Sequence, residues 1–222
     1  ELCRMPVIHA VDATERDVAP LLEDVLALLH ERGLSVNIEL KNSRAAFPAL
    51  EEKTIEAVEK AGMKEKTIYS SFNHYSLLKV RRLDPNAVCG LLYDAMLYQP
   101  WDYARQLGVQ ALHPHFSEPT FVTGEVEAAH RLGLSVNVWT VNEEADLRRM
   151  AEINCDGIIS NYPDVALRVL NARLIGESRE CDDGARTSGC RRHDAGQPGE
   201  AHFAVYTAAA HRADDAADLY AD

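Results

Sequence analysis

The run Asn37-Ile38-Glu39-Leu40-Lys41 sets a carboxylate and an ammonium two residues apart in a short β-rich segment. Side chains alternate faces along a strand, so Glu39 and Lys41 project together, with Asn37 in the same row. Placing both charges inside a fold is unfavourable unless they are paired or used. Two chemistries fit this spacing. Glu39 can act as a hard oxygen ligand for a divalent cation while Lys41 holds a phosphate oxygen. Alternatively, the two form an ion pair that closes one layer of a barrel. His113 and His115 repeat the two-residue spacing and read either as groups near a site mouth or as hydrogen-bonded strand-end histidines. Tyr93, Tyr98 and Trp101 either shape a pocket or pack the loop after their strand.

These residues need elements to hold them, and the chain alternates between two textures. Strands are predicted at Ser35–Lys41, Thr67–Phe72, Val88–Tyr93, Ala111–Phe116, Ser135–Val141 and Gly157–Asn161. Helices are predicted at Leu21–Arg32, Phe47–Ala61, Tyr75–Arg82, Trp101–Leu107, Thr123–Leu132, Glu143–Asn154 and Asp164–Ala172. Gly33, Gly62, Gly108 and Gly133 each stand where a helix should close before a strand. Asn142 is placed to cap a helix whose first turn carries Glu143 and Glu144, and Pro163 to open the last one. Repeated strand–helix units imply an α/β fold with a parallel sheet.

No Gly-rich phosphate loop follows any strand, which argues against an open dinucleotide-binding sheet. Polar or aromatic residues instead recur at strand ends: Glu39 and Lys41, Phe72, Tyr93, His113 and His115, Trp139 and Asn142. Chemistry spread over many strand ends points to a (β/α)8 TIM barrel. Only six strands are legible, and residues 1–20 contain no convincing strand. The expectation is an incomplete barrel with six of eight strands, its first two βα units missing.

A barrel domain over 1–176 is expected to be followed by a loosely ordered acidic tail over 177–222, in which ten acidic and five basic residues mix with Gly, Ser and Ala. Cys181, Cys190 and His193 in that tail match no common closed zinc spacing. The net charge of −12 argues against nucleic-acid binding, and no apolar run reaches membrane-spanning length. Five scattered cysteines, an odd number, suit a reducing, cytoplasmic setting better than a disulfide framework.

Asn37-Ile38-Glu39-Leu40-Lys41-Asn42 resembles the third-strand motif of the glycerophosphodiester phosphodiesterase family. The similarity continues in that family's order through Pro20–Leu26, Ser70-Ser71-Phe72-Asn73, Leu112-His113-Pro114, Trp139-Thr140-Val141-Asn142 and Asp156–Pro163, and spans about Pro20 to Leu170. Asn161 stands where many relatives have Asp. The resemblance implies a metal-dependent hydrolase that converts glycerophosphodiesters such as glycerophosphocholine into an alcohol and glycerol 3-phosphate, in lipid and glycerol metabolism. It also implies a divalent cofactor, Ca2+ or Mg2+, with Glu39 as one metal carboxylate. Lys41 would contact phosphate, and Phe72 and Trp139 would line the substrate pocket.

The family's His-Arg-Gly, Glu-x-Asp and His-Asp motifs have no match here, and Val7-Ile8-His9-Ala10 lacks their neighbours, so His9 reads as a surface or packing histidine. No catalytic residue is assigned. The chain is thus expected to be an N-terminally truncated fragment, inactive alone, whose exposed sheet edges invite oligomerisation. The alternative is a non-catalytic barrel that binds a ligand or a partner.

Overall fold

The computed structural model describes residues 20–43, 47–117 and 124–180. His9 and residues 181–222, with Cys181, Cys190 and His193, lie outside them. Within the described residues the chain runs α1 (Leu22–Glu31), β1 (Val36–Glu39), α2 (Leu50–Lys60), β2 (Thr67–Ser71), α3 (His74–Leu83), β3 (Val88–Tyr93), α4 (Pro100–Leu107), β4 (Ala111–Pro114), α5 (Glu125–Arg131), β5 (Ser135–Val138), α6 (Glu144–Glu152), β6 (Gly157–Ile158) and α7 (Pro163–Glu180). A short 3-10 turn, Lys64–Lys66, leads into β2.

The six strands form one parallel sheet in the order β1-β2-β3-β4-β5-β6, each paired with the strand next in sequence. This is the (β/α) barrel arrangement, six strands of an eight-stranded closed form lying among the described residues. The sheet is strongly curled. Phe72, at the end of β2, and Trp139, just past β5, bring their ring centroids to 5.4 Å although two strands lie between. A flat sheet would hold those strands about 14 Å apart at the usual strand spacing.

Register fixes two faces. Glu39, Ser70, Gly90, Ala111 and Ser135 stand side by side across five strands, and Asn137 stands beside Gly157. Their row points into the lumen. The alternate residues point to the helices: Val36, Ile38, Leu40, Tyr69, Cys89, Leu91, Tyr93, Leu112, Val136, Val138 and Ile158 all belong to the apolar core, with Leu26 and Leu29 of α1, Val58 of α2, Leu77 and Val80 of α3, and Leu147 and Met150 of α6. Burial holds the Cys89 and Cys155 thiols protonated, their pKa values pushed up to about 12, so both act as small apolar groups.

Gly108 closes α4 in the left-handed region at φ +69°, its N–H returning to the carbonyls of Ala104 and Arg105. A side chain there would be strained. Asn142 departs from the expected cap. α6 begins at Glu144 with no side-chain cap, and Asn142 Oδ1 instead accepts the N–H of Asn161 at 3.0 Å, with the Ser160 hydroxyl at 3.4 Å. It ties the loops after β5 and β6 together, because its oxygen reaches two donors there. α7 continues to Glu180, past the predicted helix end at Ala172.

Candidate active site

Lys41 Nζ stands 3.7 Å from Glu39 Oε2. The Glu39 side chain is only 12% exposed, against 35% for Lys41. Burial lifts the Glu39 pKa above its ordinary value, and the Lys41 charge opposes that only in part. A carboxylate held in this way favours a nearby cation over water. The backbone beneath the pair is stapled. Leu40 N donates to Ser70 O at 2.7 Å, the Ser71 hydroxyl donates to Leu40 O at 2.6 Å, and Asn73 N donates to Ser71 Oγ at 3.0 Å. Ser71 therefore fixes the end of β1 and the turn carrying Phe72 at once.

A second clamp follows directly. Asn42 Nδ2 lies 2.7 Å from Ser76 Oγ and 3.2 Å from Glu51 Oε1. Glu51, almost fully buried at the start of α2, also takes the Lys79 ammonium of α3 at 3.0 Å, and Lys79 meets Glu52 at 2.8 Å. Burial alone would raise the Glu51 pKa, but hydrogen bonds from Ser76 and Lys79 outweigh it and hold the carboxyl below the usual range. This buried charge is paired as such groups must be. None of Ser71, Asn42, Glu51, Ser76 or Lys79 was singled out as part of the site in the sequence. Asn42 and Ser71 do stand in the motifs that carry the family resemblance, beside Lys41 and Phe72, whereas Glu51, Ser76 and Lys79 carry no such signal.

Trp139 forms the far wall. Its indole N–H donates to the His113 carbonyl at 2.7 Å, the His115 ring meets it edge-on at 4.8 Å, and Phe72 meets it edge-on at 86°. His115 pairs through its backbone with Trp139 and through Nδ1 with the Ser117 hydroxyl at 2.6 Å. The Trp139–Thr140 peptide is cis. Phe72 is 40% exposed, so the aromatic corner opens to solvent at the mouth of the lumen, in the row that continues from Glu39 and Lys41.

Two expected positions move. His113 is fully buried, not at the site mouth. Its ring lies over Gly90, where any Cβ would run into it, so the missing side chain on β3 lets it sink into the lumen. Tyr93 is buried on the helix-facing side with Cys89 and Leu91, because its position in β3 has the opposite parity to Gly90. Tyr98 is 89% exposed, and Trp101 packs against the core. Among the described residues, no three His, Cys, Asp or Glu side chains cluster in a way that could hold a metal.

The profile of the glycerophosphoryl diester phosphodiesterase family matches residues 5–165. A glycerophosphodiester phosphodiesterase of Caldanaerobacter subterraneus subsp. tengcongensis is 34% identical over 151 residues, 68% of this chain and 61% of that protein. A Silicibacter pomeroyi crystal structure assigned to glycerophosphoryl diester phosphodiesterase aligns with TM-score 0.63 at 29% identity, over 71% of this chain and 58% of the other. An Oleispira antarctica phosphodiesterase, solved with the product sn-glycerol-3-phosphate, shares the fold with TM-score 0.58 at 24% identity, over 69% of this chain and 62% of the other. The chain thus spans about three-fifths of the length of such relatives.

Proposed function

The chain belongs to the glycerophosphoryl diester phosphodiesterase family, and from that premise we propose that it serves to hydrolyse glycerophosphodiesters such as glycerophosphocholine, with water adding across the phosphodiester to give an alcohol and glycerol 3-phosphate. The observation that carries this reading is the half-buried Glu39–Lys41 pair beside the Phe72–Trp139 corner. Lys41, the more exposed of the pair, neutralises a phosphate oxygen as a point charge. Phe72 and Trp139 form the apolar wall against which carbon of the substrate rests, and His115 keeps that wall rigid. Ser71 and the Asn42–Glu51–Ser76–Lys79 clamp hold the loop so that Lys41 is fixed before the ligand arrives.

Glu39 is a hard oxygen donor of the kind Ca2+ or Mg2+ takes, and its costly burial suits a cationic neighbour. Such an ion needs about six oxygens, so the described residues fit one corner of a divalent site and not the whole of it. When bound, the ion would polarise the phosphoryl group. The compartment proposed is the reducing cytoplasm, in keeping with the free thiols of Cys89 and Cys155. No helix of the described residues is long and apolar enough to cross a membrane. β1 and β6 are the sheet edges among the described residues, and association through them is proposed.

That the described residues supply only one carboxylate of a cation site favours a second reading, a barrel that binds glycerophosphodiesters without cleaving them. One assay separates the two. The full chain is incubated with glycerophosphocholine and Ca2+ or Mg2+, and glycerol 3-phosphate is measured by a coupled dehydrogenase. Metal-dependent release, abolished by EDTA, is expected if the chain cleaves the diester by itself, and would overturn the expectation of an inactive fragment. Calorimetric binding of glycerophosphocholine without release would leave the binding protein, and the absence of both would sink each reading.

A further inference from the structure

Five buried side-chain polar atoms of the described residues have no hydrogen-bond partner, and three of them belong to the lumen row: Asn37 Oδ1, Ser70 Oγ and His113 Nδ1. Ser70 is 0% and His113 1% exposed. Buried polar atoms are almost always hydrogen-bonded, so each of the three calls for a partner. Register sets them on the lumen face of β1, β2 and β4. Asn37 lies two residues before Glu39 on the same face of β1, Ser70 stands between Glu39 and Gly90, and the His113 ring occupies the space over Gly90.

The chemistry of the three atoms is specific. Asn137 Nδ2 donates to His113 Nε2 at 2.9 Å, which puts the proton of the neutral ring on Nδ1. Asn137 is itself held in place over Gly157, where a Cβ would run into its amide. His113 is therefore a donor, Asn37 Oδ1 an acceptor, and the Ser70 hydroxyl either. Burial keeps the ring uncharged, its pKa pushed down to about 4. An anion cannot donate to Asn37, and a metal ion cannot accept from His113. The group that satisfies all three both donates and accepts and carries no charge.

We propose that Asn37, Ser70 and His113 form a hydroxyl-binding site in the lumen, separate from the phosphate and aromatic positions, which takes a water molecule or the hydroxyl of an alcohol. Gly90 makes room for the His113 ring and Gly157 for Asn137, which sets the tautomer that gives the site its donor. The site does not depend on the hydrolytic reading, since it rests on burial and hydrogen-bond type alone.

The test is nitrogen-resolved NMR of the full chain labelled at histidine. A His113 proton on Nδ1 with a cross-peak to water, unmoved by added glycerol, identifies water as the occupant. A saturating shift of that proton with glycerol, with loss of the water cross-peak, identifies an alcohol hydroxyl. Cross-peaks only to protein side chains, or a proton on Nε2, overturn the proposal. A second measurement uses Ser70→Ala and His113→Phe. A satisfied site predicts that each lowers the thermal midpoint by on the order of 2–4 °C. A rise in both would mean that the groups sit dry and unpaired, and the proposal would fall.

Discussion

On β3, Cys89, Leu91 and Tyr93 face the helices and join the apolar core, while Gly90 faces the lumen and meets a histidine ring. The same division runs across the sheet. The helix-facing row of β1 is Val36, Ile38 and Leu40, and its lumen row is Asn37 and Glu39, leading to Lys41. On one side volume decides which residue is tolerated, and neighbours of similar size could replace one another. On the other side donor, acceptor and charge decide, and the residues are hydrogen-bonded or left with atoms to satisfy. Stability resides mainly in the first row and chemistry in the second.

The sharpest way to separate them is to damage each. Leu91→Ala, at a position with 0% exposure, should lower unfolding free energy by about 2–5 kcal/mol, read from urea denaturation. If it costs no more than a surface change, the helix-facing row does not carry the fold. On the hydrolase reading proposed above, Lys41→Ala should reduce glycerol 3-phosphate release on the order of 10²–10³-fold, at a smaller cost in stability than Leu91→Ala. Comparable damage to stability would place Lys41 with the structural residues and leave the Glu39 contact as a mere ion pair.

Gly90→Ala tests the point where the rows differ most on one strand. The new methyl meets the His113 ring, and overpacking of this kind costs about 1–3 kcal/mol. Restored stability in the double variant with His113→Ala would tie the loss to that contact. The last effect, absent at neutral pH, is electrostatic. Protonating His113 is opposed by burial, its pKa falling from the ordinary 6.5 to about 4. The unfolded chain takes up that proton first, so stability is complete above pH 6.5 and declines as pH falls towards 4. Compared with His113→Phe at each pH, the wild-type chain should lose stability faster through that window. Parallel curves would show that the ring is already solvated.

Much of the helix-facing row was legible in the sequence, because alternating apolar residues in Val36–Leu40 or Cys89–Tyr93 can pack in only one way. The strand positions and the direction of Glu39 and Lys41 followed from the same period of two. Depth did not. The period places His113 and His115 on one face, yet His113 is buried in the lumen and His115 lies against Trp139, because Gly90 on a neighbouring strand leaves one of them a hole. Tyr93 read as a strand-end aromatic, and its parity sends it to the core. Asn142 read as a helix cap, but its amide oxygen found donors across the sheet at Ser160 and Asn161. Each difference depends on contacts between strands that no local pattern records.

Every strand of the sheet pairs with the one that follows it in sequence. Among the described residues no strand waits for a partner made much later, so the entropy of closing each of these segments is met one βα unit at a time. A chain emerging from the ribosome can therefore add strands in the order in which they are synthesised, each new one docking on an edge already formed. Loss of structure should run the other way, starting at β6, at two residues the shortest strand among the described residues, and its amides should be the first among the strands to exchange with solvent.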